Sequence, residues 1–396
     1  MRSRKHLIHI KGLFNYNVKH RAWPQSVKDD TAADEEVSIV KRHEIRANMH
    51  DFIRCKDVNL FYQSFAGYLF NHAIDWHNEA HILELISENS QVYVMLDKNI
   101  MSFIKAMLMG TSNDINRDRA LAGMLWFFTF GCNAKFDFSI ASDEYYMSSH
   151  KSSDPLNLMV ERQALEIIIN TVWKDPMHLL DFSLGTVDKL QPNVPLNFAP
   201  YITTEKLPDK YDAFYIISLK LFLLQKDQSL NNLQKFTAFM DWQRNDFFIS
   251  GAAVVHASML FACKVRQHPK YKNAATYEEA ISYCKGAAWD LFYTRVYYEY
   301  ASHPGQVWFF ASGDRALLQV FNVLFSDNVQ SSEINEKLQT LFKSHWGSRG
   351  EIVYNHYVAM REKVERAGDS RDFSSDLICT QRENLEGKIK RLMEGR

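Results

Sequence analysis

Four acidic residues stand where the hydrophobic pattern of the chain changes. Asp97 follows Val92-Tyr93-Val94-Met95-Leu96, Glu144 lies in the pair Asp143-Glu144, Asp290 follows Gly286-Ala287-Ala288-Trp289, and Asp314 follows Val307-Trp308-Phe309-Phe310-Ala311-Ser312-Gly313. The runs before Asp97 and Asp314 read as buried strands, whereas Glu144 and Asp290 fall at or near expected helix starts. In an open α/β sheet, ligands bind beyond the carboxyl ends of the strands, where both aspartates would stand. A carboxylate there is costly unless something positive neutralises it. Gathered carboxylates repel one another unless a hard cation lies between them, and oxygen donors suit Mg2+ or Mn2+. Taken singly, each acid has a plainer explanation. Asp314 could cap its helix, Asp97 could favour a strand-to-helix turn, Glu144 could complement a helix dipole, and Asp290 could be a surface residue. The metal reading rests on their comparable placement.

The elements that must position these acids follow an α/β order. After the strand ending at Leu96 comes a helix with apolar Ile100, Phe103, Ile104 and Met107, then an apolar helix from Ala120 to Phe130. Lys135 to Ser142 alternates like a strand and runs into a helical stretch beginning at Asp143. Residues 151–275 carry helical patterns at Val160 to Trp173, Tyr211 to Gln225, Leu230 to Asn245 and Ser250 to Val265. A connection with Pro192, Pro195, Pro200 and Pro208 interrupts them. The whole region reads as a helical insertion, with His256 as a core histidine. Thr276-Tyr277-Glu278-Glu279 has the capping-box pattern of a helix start, and Pro304-Gly305 marks the turn into the strand before Asp314. Residues 1–90 read as a helical accessory segment, with Phe61, Phe65 and Leu69 at spacing four. There His77 and His81 stand one turn apart, a spacing that can hold zinc but is expected here on a solvated helix face. Residues 326–396 read as a helical extension ending in a basic, solvated tail with Lys388, Lys390 and Arg391.

Composition narrows the class. A chain of 396 residues with 46% hydrophobic and 13% aromatic content excludes a disordered protein. A formal net charge of −1 excludes a uniformly basic nucleic-acid binder but leaves room for a local basic groove. The five cysteines lack a C-x-x-C pair, which fits a reduced, cytoplasmic protein. The opening residues make a poor signal peptide, and the apolar stretch Ala213 to Leu224 is too short to span a bilayer, so no membrane association is expected.

The acids and their neighbours resemble the PIN-like nuclease family. The residues that carry the likeness are Leu96-Asp97-Lys98-Asn99 after the first strand, Asp143-Glu144 after the second, Ala287-Ala288-Trp289-Asp290, and Ser312-Gly313-Asp314. The resemblance covers about 91–150 and 276–325, and the segment 151–275 between them departs from the family pattern. It leaves Asp143, Asp241 or Asp246 as possible substitutes for Glu144. The resemblance implies a PIN-like parallel-sheet core with a helical insertion and helical extensions at both ends. It implies a metal-dependent endoribonuclease, a toxin or defence effector among the roles such proteins have, cutting RNA in preference to DNA. Asp97 and Asp314 would be the principal ligands of Mg2+ or Mn2+, with Asp290 and Glu144 holding a second ion or its waters. Asn99 and Ser312 would support them, while Lys98, Lys285, Arg295 and Arg315 are candidate phosphate contacts. A DNA-directed nuclease and a non-catalytic scaffold binding a regulatory protein through its helices are the alternatives.

Overall fold

The computed structural model describes residues 62, 64–71, 79–85, 91–108, 110–141, 143–144, 176–190, 211–262, 274–325, 331–367 and 375–395. The expected helix at Val160 to Trp173, the proline-rich connection, and His77 lie outside them. The described residues are mostly helical, with one small mixed sheet. The chain forms two compact units: residues 1–204 with 299–314, and residues 205–298 with 315–396.

The first unit holds the sheet. Its described elements are β1 (Leu69–Phe70), α1 (Glu79–Leu85), β2 (Gln91–Leu96), α2 (Lys98–Leu108), α3 (Ile115–Trp126), β3 (Lys135–Asp137), α4 (Pro176–Ser183) and β4 (Gln306–Ala311). The strand order is β1-β4-β2-β3. β2 is central and runs parallel to both neighbours, Met95 pairing with Asp137 and Leu96 with Ala311. Alternation sorts its side chains. Val92, Val94 and Leu96, with Phe309 and Ala311 of β4, face a core filled by Ile100 and Ile104 of α2 and by Leu121, Leu125 and Trp126 of α3. On the opposite face Tyr93 and Trp308 stack with ring centroids 4.5 Å apart. α3 ends in a buried π-helical turn, Phe127–Gly131, and Asn133 then takes a left-handed conformation at φ 50°.

One helix expectation and one strand expectation need correction. Leu69 does not continue a helical face: with Phe70 it pairs antiparallel to Ala311 and Phe310, and Ser312 N donates to Tyr68 O at 2.8 Å. Backbone pairing on an open edge of the sheet outweighs the spacing of Phe65 and Leu69. The strand expected over Lys135 to Ser142 stops at Asp137. The Asp137 carboxylate accepts from Ser139 N at 2.9 Å and Ser139 Oγ at 2.7 Å, a local turn that competes with the ladder.

The second unit is helical: α5 (Tyr211–Lys226), α6 (Asn232–Asp246), α7 (Gly251–Phe261), α8 (Tyr277–Ala301), α9 (Arg315–Phe325), α10 (Ser331–Trp346), α11 (Gly350–Ala367) and α12 (Ser375–Glu394), the last residues of α8 counting with the first unit. α6 starts at a reciprocal capping box between Asn231 and Gln234. α8 starts where Thr276 Oγ1 accepts from Glu279 N at 3.2 Å. His256 is buried in α7, as expected. The C-terminal segment keeps Lys388, Lys390 and Arg391 exposed, as expected, but on a packed helix rather than a tail. Leu385, Ile389 and Met393 form a buried stripe at spacing four along α12, which packs on α5.

Candidate active site

The strand-end aspartate of β2 is built in by its own turn. Asp97 N–H donates to Ala311 O of β4 at 2.9 Å, so the ladder continues to the residue itself. Its side chain then caps α2, Oδ1 accepting from Asn99 N at 3.0 Å, while Asn99 Nδ2 reaches Oδ2 at 3.4 Å. From the neighbouring strand end, Ser312 Oγ donates to Oδ2 and accepts from Asp314 N at 3.0 Å. One hydroxyl therefore ties Asp97 to the loop carrying Asp314. Asp97 is 4% exposed and Ser312 fully buried. Burial pushes the Asp97 carboxyl above its usual range; the bonds from Ser312 and Asn99 oppose this, and the negative charge of Asp314 adds to it.

Gly313 lies between Ser312 and Asp314 for a steric reason. A Cβ there would stand 2.8 Å from Phe103 Cε2 of α2, and the Arg117 guanidinium covers that ring at 4.1 Å from its centroid. Arg117 is held by Ser112 Oγ at 2.7 Å and by buried Asp118 at 3.4 Å.

A second acidic group forms after β3. Asp137 stands beside Met95, two residues before Asp97 in β2. Burial raises the Asp143 carboxyl, with repulsion from Asp137 adding to it. Glu144 is 3.7 Å from Lys98 Nζ, so Lys98 is committed to an acid of the same unit. In the sequence Asp137 is hidden between Phe136 and Phe138 in an alternating run. Its signal was present: Asp137-Phe138-Ser139 repeats the Asp-x-Asn/Ser pattern of Asp97-Lys98-Asn99 and closes the same kind of turn.

The structure thus brings Asp97, Asn99, Ser312 and Asp314 together, with Lys98 and Glu144 paired in the same unit. Asp290, Lys285, Arg295 and Arg315 belong to the second unit. Asp290 does not begin a helix. The sequence Tyr277–Ala301 is one continuous helix through Gly286, and Asp290 is a half-buried residue in its middle. Of the substitutes considered for Glu144, Asp241 is 3.2 Å from His356 Nε2, and Asp246 is exposed at the end of α6; both are in the second unit.

Among the described residues, no three of His, Cys, Asp and Glu gather so as to hold a metal ion. The donor pair that does gather, Asp97 and Asp314, fits a hard cation of the Mg2+ kind in its chemistry. Such an ion keeps several waters and is commonly held by one or two carboxylates together with substrate phosphate. No family model matches the chain, and neither a curated protein nor a solved structure does.

Proposed function

We propose that the chain is a metal-dependent endoribonuclease with a PIN-like core, acting in the cytoplasm. The observation that carries this reading is the meeting of Asp97 and Asp314 at the carboxyl ends of adjacent parallel strands, joined through Ser312. Asp97 and Asp314 would hold Mg2+ or Mn2+, with Glu144 of the same unit supplying a further oxygen as the resemblance implies. The bound ion would supply an acidified water and neutralise charge on the phosphate oxygens. Ser312 and Asn99 keep the Asp97 carboxylate aimed and rigid. Burial holds a proton on Asp97 to higher pH than an exposed carboxylate would, so cation binding and loss of that proton are coupled. RNA is the favoured substrate, DNA the alternative, and a regulated role as a toxin or defence effector follows from the same resemblance. Among the described residues no helix is long and apolar enough to cross a membrane.

One observation favours a second reading. Asp97 has hydrogen-bond partners for both oxygens within the protein, which suits a purely structural residue of a scaffold that binds a protein partner. Analysis of the RNA ends separates the chemistries. The metal-water reading expects 5′-phosphate and 3′-hydroxyl products from single-stranded RNA with Mn2+. A 2′,3′-cyclic phosphate product means attack by the ribose hydroxyl and contradicts it.

A further inference from the structure

The second unit contains a cavity of about 940 Å³, and of the residues the nuclease reading names only Arg295, a candidate phosphate contact, is in its wall. Two features of its wall point to one ligand chemistry. The first is aromatic: Phe214 and Phe248 meet edge to face at 6.1 Å, and Tyr298 and Phe325 stack at 6.2 Å. Tyr298 is 55% exposed, unusual for an aromatic ring among the described residues. The second is cationic. The guanidinium of Arg295 lies 5.9 Å from the Tyr298 ring centroid, and Arg382 also lines the cavity. Arg382 pairs with Asp212, itself a wall residue, at 3.8 Å and with Glu386 at 3.3 Å, so a phosphate would have to share its guanidinium with these two carboxylates.

Rings offer faces to a flat heterocycle, and base-on-aromatic stacking is insensitive to which base is present. Guanidinium forks match the oxygens of a phosphate in geometry as well as charge. A volume of about 940 Å³ falls within the range of small-molecule sites and is roomy enough for a heterocycle, a sugar and phosphates together. We infer that this cavity binds a nucleoside phosphate, with the base against Tyr298 and the phosphate at Arg295 and Arg382. The ligand has two sources, a free nucleotide or the phosphorylated end of a polynucleotide.

Titration calorimetry on the full chain in EDTA tests this, since EDTA removes any binding that a metal bridges at Asp97. The probes are ATP, the dinucleotide 5′-pApA, adenosine and laurate. ATP or pApA binds, and adenosine binds roughly tenfold more weakly or worse, because the charge-assisted contacts are lost. Tighter binding of ATP assigns the free nucleotide; tighter binding of pApA assigns the chain end. Arg295→Met, which keeps the apolar stem, and Tyr298→Ala, at an exposed ring, each weaken binding by about fivefold or more, whereas Asp97→Asn leaves it unchanged. Adenosine binding as tightly as ATP, saturable binding of laurate but of neither nucleotide, no binding of any probe, or full affinity in both cavity variants overturns the inference. So does loss of binding in Asp97→Asn.

Discussion

Replacing Ser312 with Ala removes the hydroxyl that joins the two strand-end aspartates. Ser312 Oγ donates to Asp97 Oδ2 and accepts from Asp314 N at 3.0 Å, and it is fully buried. Without it Oδ2 keeps only the Asn99 Nδ2 contact at 3.4 Å, too long to replace a charge-assisted bond. A buried carboxylate that loses such a partner costs about 2 kcal/mol. The Asp314 N–H is only part-buried, so water can substitute there and adds little. For a unit of this size, about 2 kcal/mol lowers the melting temperature by roughly 4–8 °C. Calorimetry of the full chain at neutral pH in EDTA measures the shift. The same substitution in an Asp97→Asn background should cost at least about 1 kcal/mol less, because the charge that makes the bond strong is gone. A fall of under about 1 °C, or an equal cost in both backgrounds, refutes the reasoning.

Three further outcomes are expected. Gly313→Ala places a Cβ 2.8 Å from Phe103 Cε2 and makes that ring turn beneath Arg117, which costs about 1 kcal/mol in urea unfolding; Phe103→Leu in the same chain should relieve most of it. Asn231→Ala removes the capping box of α6 and lowers stability by about 1 kcal/mol, read as a matching fall in the denaturation midpoint. Lys220 is held below the usual lysine range, first by burial and then by Lys388, with Asp246 opposing. Its unfolded form keeps the proton to higher pH than its folded form. Stability therefore rises with pH from the folded value up to the unfolded value near 10.4, and below that window Lys220 is destabilising. The stability difference between wild type and Lys220→Met should shift toward wild type as pH rises through that window, and a difference independent of pH would contradict the argument.

The parts of the fold that the sequence announced are those where one local rule acts alone. Val92 to Leu96 and Val307 to Ala311 are apolar runs bounded by turn residues, and both are strands. The helices beginning at Tyr211, Asn232 and Gly251 follow apolar stretches close to their expected limits. Expectation and structure part where two rules compete. The spacing of Phe65 and Leu69 suits a helix, yet β4 offers an unpaired edge and Leu69–Phe70 takes it. Lys135 to Ser142 alternates like a strand, yet the Asp137 carboxylate captures the Ser139 N–H and ends the ladder. Gly286 looks like a break before Asp290, but Ala288, Trp289, Leu291 and Phe292 bury themselves on one continuous helix, and that burial outweighs the cost of about 1 kcal/mol for a mid-helix glycine. Within the site, Asp97 and Asp314 were legible because strand ends can be read from hydrophobic runs. The tie through Ser312 was not, since it joins residues 215 positions apart.

The central claim is that Asp97 and Asp314 form a cation-dependent hydrolytic centre. Its most direct measurement is single-turnover cleavage of end-labelled single-stranded RNA by the full chain in Mn2+ and in EDTA, beside Asp97→Asn and Asp314→Asn. Each substitution keeps the side chain's shape while removing its charge, so a loss of activity in a folded variant reports chemistry. Wild type should cleave in Mn2+ and not in EDTA, and either variant should fall by at least about a hundredfold, a loss of about 2.7 kcal/mol in transition-state stabilisation. Cleavage that survives EDTA, equal rates in wild type and both variants, or no cleavage by wild type in Mn2+ would contradict it.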